Sequence, residues 1–150
     1  MAPDPESLPF VDEHGVEVAA APEVVWASLC HVVDRSFSSP TAARVARIVG
    51  CDVVEAAGPR PLTEGSAIPG FVVARAEDGS ELALVGRHRY SDYALVFRLT
   101  GSDGTTRLRA ETRARFPGTI GRLYRTAVIG TRGHILVTMQ LLTAVKRRAE

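Results

Sequence analysis

The 150-residue chain contains no asparagine and one glutamine, Gln140. N-linked glycosylation is therefore excluded. Any polar site must be built from His, Tyr, Arg, Ser, Thr, carboxylates or backbone. Cysteine is equally scarce. Cys30 and Cys51 are too few for a disulfide framework and read as reduced, partly buried thiols. Neither they nor the four His fall in a CxxC or HExxH spacing, so no metal site is expected. The glycines form no GxGxxG or GxxxxGK loop, and no cofactor is expected. The chain also lacks a run of about 18 apolar residues, so no transmembrane segment is expected. Its opening, Met1-Ala-Pro-Asp-Pro-Glu6, is acidic and proline-rich, the opposite of a secretory signal, and cytoplasmic residence is the expectation.

What is present suits one globular domain. A 45% hydrophobic and 23% charged composition is ordinary for such a protein, and this length can bury a core. Net charge is +1 but unevenly spread. Residues 1–86 hold 5 basic and 13 acidic side chains, residues 87–150 hold 13 and 4. Such asymmetry marks either an anion-binding surface or two parts of one domain that neutralise each other. The near-zero total favours the second.

In chain order, residues 1–12 read as a flexible arm and 13–150 as a single domain. His14 to Ala19 alternates as a short strand. Ala21-Pro22-Glu23 opens a helix with Pro at its first position, burying Val25, Trp26, Leu29, Val32 and Val33. Ser39-Pro40 starts a second short helix, with Val45, Ile48 and Val49 inward and Gly50 as its stop. Five strand-like runs follow: Cys51–Ala56, Ser66–Ala76, Leu82–Tyr90, Tyr93–Thr100 and Thr105–Phe116. Their breaks are short enough for antiparallel hairpins. Thr119 to Arg148 then has the 3.6-residue period of one long amphipathic helix, about 45 Å at 1.5 Å per residue. Ile120, Tyr124, Ala127, Val128, Thr131, Ile135, Thr138, Leu142 and Val145 form its apolar face. Gly130 and Gly133 read as a bend or hinge, and Ile129 with Leu136 as a patch suited to a homodimer. The expected fold is α+β: a curved antiparallel sheet of six or seven strands around a long C-terminal helix, with two short helices between the first two strands. Small inward residues, among them Gly86, Ala110, Ala114 and Thr131, leave room for a cavity.

Val16-Glu-Val-Ala-Ala-Ala-Pro-Glu-Val-Val-Trp-Ala-Ser-Leu29 resembles the opening strand and helix of the START/SRPBCC helix-grip superfamily. That group includes birch-pollen-type allergens and polyketide cyclase/dehydrase-like proteins, and the element order matches over nearly the whole chain. Gly86-Arg-His-Arg-Tyr-Ser-Asp-Tyr-Ala-Leu-Val-Phe97, Phe116-Pro-Gly-Thr-Ile-Gly-Arg-Leu-Tyr124 and His134 further resemble a bacterial branch of it. The resemblance implies a hydrophobic pocket between sheet and long helix for lipids, polyketides or similar molecules. It implies no universal catalytic residue.

With alternation kept, Leu82, Leu84, Gly86, His88 and Tyr90 face the helix, as do Tyr93, Leu95, Phe97 and Leu99. The candidate ligand-binding set is then His88, Tyr90, Tyr93, Phe97, Ala110, Thr112, Tyr124, Val128, Thr131 and Ile135. His88 is the candidate catalytic group, an imidazole that could hold a ligand oxygen or move a proton. The more ordinary reading is a core histidine bonded to a neighbouring Tyr or to backbone. The tyrosines read either as ligand hydroxyls or as amphipathic residues at the core edge. His134 is expected to bond Tyr124 or a strand hydroxyl. Arg87, Arg89, Arg98, Arg107, Arg109, Arg113 and Arg115 fall on the outer face, paired with Glu111 and the acidic first half, and no nucleic-acid partner is expected. A one-residue slip in strand 82–90 would instead send Arg87 and Arg89 inward, toward an anionic ligand. Three functions remain open: a carrier of a small hydrophobic ligand, a cyclase/dehydratase using His88 and a Tyr, or an interaction module with a filled interior.

Overall fold

The computed structural model describes residues 4–129 and 133–150. After a 3-10 turn at Pro5–Ser7 come β1 (Phe10–Val18), α1 (Pro22–Phe37), α2 (Pro40–Val49), β2 (Ala67–Ile68), β3 (Phe71–Glu77), β4 (Glu81–His88), β5 (Ser91–Ser102), β6 (Thr105–Arg115), α3 (Gly118–Ile129) and α4 (Gly133–Ala149). The six strands form one antiparallel sheet in the order β1-β6-β5-β4-β3-β2. This is the expected α+β helix-grip architecture, with two helices between the first two strands.

Register places the core. Leu82 pairs with Phe97, Leu84 with Leu95 and Gly86 with Tyr93 across β4 and β5. On β6, Ala110 faces Phe97 and Leu108 faces Leu99. Side chains alternate across a strand, so these residues share the concave face. Val25, Leu29 and Val33 of α1 join them in one cluster with Leu141, Leu142 and Val145 of α4. Each such side chain, fully buried, stabilises the fold by roughly 1.5–3 kcal/mol. Trp26 is only partly buried against this cluster. The end of α4 is tied to β1: Lys146 Nζ donates to the Glu17 carbonyl at 2.9 Å, and the Ala19 amide donates to Glu150 Oε2 at 2.9 Å.

Several expectations need correction. The arm is not loose from Asp4 onward. Leu8 is buried against Val85 and Ala94 on the convex face, and Arg113 and Arg115 donate to the carbonyls of Leu8 and Ser7. β1 accordingly starts at Phe10 rather than His14. Cys51–Ala56 forms no strand. Its backbone instead bonds the ends of other elements, Asp52 N–H to Arg87 O and Gly70 N–H to Val53 O. Ser66–Ala76 is split into β2 and β3 at Pro69-Gly70. On α2, Ala46 is the buried residue while Val45 and Ile48 are exposed. The expected long helix is present as α3 and α4; Gly130, Thr131 and Arg132 between them lie outside the described residues. Ile120 and Leu123 of α3 are exposed, so the front of that apolar face is not part of the core.

Arg87, Arg98, Arg109 and Arg113 of the outer face are paired with acids, as the alternation predicts. Arg98 spans Glu81 and Glu111 at 3.1 and 2.9 Å, Arg75 reaches Glu6 and Glu81, and Arg113 also bonds Glu111. The hydrogen bond from Arg75 holds the Glu6 carboxyl down at about 2. Glu6 and Glu81 belong to the acidic first half and Arg98, which reaches both, to the basic second, so the two charge blocks meet on one face.

Candidate functional site

Between the concave sheet, the end of α1, α2 and α3 lies an open cavity of about 500 Å³. Its volume is in the range of small-molecule sites. Phe37, Phe71, Tyr93, Phe116 and Tyr124 line it, a concentration notable in a chain that is only 6% aromatic. His88, Ser91, Thr112 and His134 add polar groups. A second depression of about 660 Å³ beside α1 is rimmed by Asp34, Arg60, Asp78 and Arg148. That rim is charged and lies away from the aromatic wall, so the smaller, apolar cavity is the better ligand site.

The aromatic wall follows from one missing methyl. A Cβ on Gly86 would sit 2.1 Å from the Gly70 carbonyl oxygen and 2.5 Å from Tyr93 Cε2. Glycine there lets the β2–β3 turn and the Tyr93 ring fold over β4. The Tyr93 hydroxyl donates to Gly70 O at 2.6 Å and lies 3.5 Å from Cys51 Sγ. Burial raises the pKa of Tyr93, Tyr124 and the Cys51 thiol, keeping all three protonated at neutral pH. Tyr93 is thus a clamped hydroxyl, already engaged with backbone.

His88 ends β4 beside this clamp. Its ring stands 4.9 Å from Tyr124 edge-on and 5.2 Å from Tyr93. Tyr124 is held from above by Tyr90, stacked at 5.3 Å, and its helix approaches the Tyr90–Phe116 backbone through Gly121, where a Cβ would meet Phe116 at 2.8 Å. His88 Nδ1 accepts the Tyr90 amide hydrogen at 3.0 Å. In the neutral ring the remaining hydrogen is therefore on Nε2. Burial lowers the His88 pKa from 6.5, against a smaller opposing pull from Asp92. The ring is accordingly a neutral donor at pH 7. Arg87 points outward to Asp92 at 2.6 Å, and Arg89 is exposed. The alternative register with arginines in the cavity is excluded.

The predicted residues divide into three groups. His88, Tyr93, Thr112 and Tyr124 line the cavity together. Tyr90 braces Tyr124 from the β4–β5 turn, Ile135 is half-buried outside the lining, and Phe97 and Ala110 are fully buried core. Phe97 and Ala110 lie deeper because the cavity occupies only the Tyr93–Ala114 end of the sheet. Thr131 and the side chain of Val128 lie outside the described residues.

His134 also lines the cavity, but its partner is neither Tyr124 nor a strand hydroxyl. Nε2 lies 2.6 Å from Oδ2 of Asp12 on β1, and His14 Nε2 approaches the same oxygen at 3.3 Å. Sequence reasoning missed this pair because it placed Asp12 in the arm. The available signal was the i, i+2 spacing of Asp12 and His14, which puts both on one face of a strand. Among the described residues no group of three or more His, Cys, Asp or Glu is arranged to hold a metal ion, and no helix is long and apolar enough to cross a membrane.

No family model and no curated protein matches the chain. Solved structures match its fold. A protein of Nitrosospira multiformis aligns with a TM-score of 0.59 at 16% identity, covering 95% of this chain and 97% of that one. StfQ, a di-domain ARO/CYC from the steffimycin biosynthetic pathway, aligns at 0.58 and 12% identity over 97% of this chain and 52% of its own. DynU16, described as a putative protein in the dynemicin biosynthetic locus, aligns at 0.50 and 18% over 97% and 47%.

Proposed function

We propose that this protein binds a small hydrophobic or amphipathic molecule, lipid- or polyketide-like, in the cavity bounded by Phe71, His88, Tyr93, Thr112 and Tyr124. The observation that carries this reading is an open, aromatic-lined cavity of about 500 Å³ with an imidazole N–H at its wall. An apolar wall with a few fixed polar groups is the general design of small-molecule sites. Its volume argues against an interior filled by side chains. Membership of the START/SRPBCC superfamily is part of the reading. It is supported by the opening strand–helix segment at Val16–Leu29 and by the shared fold, and ligands of the polyketide class are suggested by the pathways named for StfQ and DynU16.

Native mass spectrometry on protein from its own host, followed by organic extraction, tests it. A stoichiometric hydrophobic molecule is the expected result. Ligand-free protein that also fails to take up a hydrophobic fluorescent probe would overturn it.

An enzymatic version of the same site is favoured by one specific observation, the two imidazoles on the cavity wall. The version built on His88 with a tyrosine is narrowed to Tyr124, since the Tyr93 hydroxyl is engaged by Gly70 and Tyr90 is not among the lining residues.

A further inference from the structure

The arginines of the sheet and those of the helices beside it are in different states. On the sheet, Arg98 and Arg113 are held by Glu111, and Arg75 by Glu6 and Glu81. Neither α2 nor α3 contains an acid, and none occurs between Glu111 and Glu150. Arg44 of α2, Arg122 and Arg125 of α3, and Arg89 in the β4–β5 turn make no ion pair among the described residues. Arg47 reaches only the exposed Glu55, at 4.0 Å. Neutralisation of charge within the domain therefore stops at the sheet.

The same two helices leave aliphatic side chains in solvent. Val45 and Ile48 on α2, and Ile120 and Leu123 on α3, are between 52% and 68% exposed. One pattern is repeated: an aliphatic pair three residues apart beside an arginine pair three residues apart. It is Val45 and Ile48 with Arg44 and Arg47 on α2, and Ile120 and Leu123 with Arg122 and Arg125 on α3. Residues at that spacing share a helix face. Both pairs lie beside the opening of the aromatic cavity, since Val45 and Tyr124, which follows Leu123, line it. The β4–β5 turn engages both helices. The Arg89 amide donates to Val49 O at 3.0 Å, and Tyr90 stacks on Tyr124 at 5.3 Å.

We propose that α2, α3 and the Arg89 turn dock this protein on an anionic phospholipid bilayer, with the mouth of the cavity toward the lipid. Guanidinium groups pair with phosphate oxygens in bidentate fashion, and their apolar stems let the charge stay at headgroup level while the aliphatic pairs enter the acyl boundary. Aliphatic pairs on two separate helices, either side of an opening, make no continuous core of the kind a protein interface buries. A bilayer accepts each side chain separately. A second copy of the chain fits worse, because a two-fold contact through this face would set arginine against arginine. The docking surface stands apart from the ligand-binding reading; its use, exchange of a hydrophobic molecule between lipid and cavity, rests on that reading.

The test is flotation of the full-length protein with vesicles of phosphatidylcholine plus phosphatidylglycerol and with vesicles of phosphatidylcholine alone. Expected is binding to the anionic vesicles that is weak on the neutral ones. It should be lost as salt rises from about 0.05 to about 0.5 M, which screens exposed charges. Arg122→Gln combined with Arg125→Gln should lower the partition coefficient about 25-fold, at about fivefold per basic side chain near the surface. Leu123→Ser should lower it about tenfold or more. Arg107→Gln, at the end of β6 far from the cavity, should leave it unchanged. All these side chains are exposed, so circular dichroism and uptake of a hydrophobic probe should remain those of the wild type. Equal binding to both vesicle types, or binding indifferent to the α3 variants, overturns the proposal. So does binding to polyglutamate without binding to vesicles, which assigns the arginines to an acidic protein, or a Leu123-dependent dimer without vesicle binding. Failure on vesicles with probe uptake intact overturns the docking surface and leaves the ligand-binding reading standing. Vesicle binding by protein that takes up no probe does the reverse.

Discussion

Tyr93→Phe separates a hydroxyl that holds the fold from one that holds a ligand. The Tyr93 O–H donates to Gly70 O at 2.6 Å, and that carbonyl is pressed so closely onto β4 that a Cβ on Gly86 would lie 2.1 Å from it. Removing the hydroxyl leaves the carbonyl oxygen without its donor in a place where the chain is too tightly packed for easy replacement. The expected loss is about 1–3 kcal/mol. For a domain of this size that corresponds to a fall in Tm of roughly 2–10 °C. The ring itself stays, so its contacts with Phe71 at 5.2 Å and His88 at 5.2 Å persist. Affinity for a hydrophobic probe should then change less than about threefold. Urea unfolding followed by circular dichroism gives the first number, provided that the slope is unchanged, and probe titration gives the second. An unaltered midpoint together with a tenfold or greater loss of affinity would refute the reasoning. The hydroxyl would then belong to the ligand.

Gly86→Ala should cost more than Tyr93→Phe, because the new methyl meets backbone as well as a ring; a loss at or above the roughly 1–3 kcal/mol of ordinary overpacking is expected in the same urea experiment, and wild-type stability would contradict the close approach. Ala114→Phe places a large ring on the cavity wall opposite Tyr93; probe affinity should fall at least tenfold while circular dichroism stays native, and undiminished binding would put the ligand elsewhere. Burial lowers the His88 pKa below 6.5, so on acidification the unfolded chain takes up this proton before the folded one does. The neutral ring's contribution is therefore fully present above about pH 6.5 and lost as pH falls toward the lower folded value. Thermal unfolding at pH 7.5 and 5.5 should show a smaller acid-induced fall in Tm for His88→Gln than for the wild type.

The parts of this structure legible in the sequence are those where a strand's two faces meet different surroundings. On β6, Leu108, Ala110, Thr112 and Ala114 alternate with Arg107, Arg109, Glu111 and Arg113, and a one-residue slip would bury the charges. The same logic put His88 inside and Arg87 outside, and the observed pairing of Gly86 with Tyr93 and Arg87 with Asp92 follows it. Where the pattern failed, the deciding partner was remote or the decisive residue small. Ala46 rather than Ile48 is buried on α2, while Val45 is left half-exposed because it faces the open cavity. Ile120 and Leu123 have the period of a buried face, yet among the described side chains of that helix it is Gly121 and Tyr124 that are drawn toward the sheet. Asp12 sits in a run, Phe10-Val-Asp-Glu13, whose acidity reads as solvated tail. Its pairing with β6 and with a histidine 122 residues away is what makes it structural. A single-residue pattern reports the contrast between two faces of its own element and nothing of what the chain later brings against them. The position of His88 could therefore be read from β4 alone, whereas the His134–Asp12 pair required β1 and α4 to be placed together.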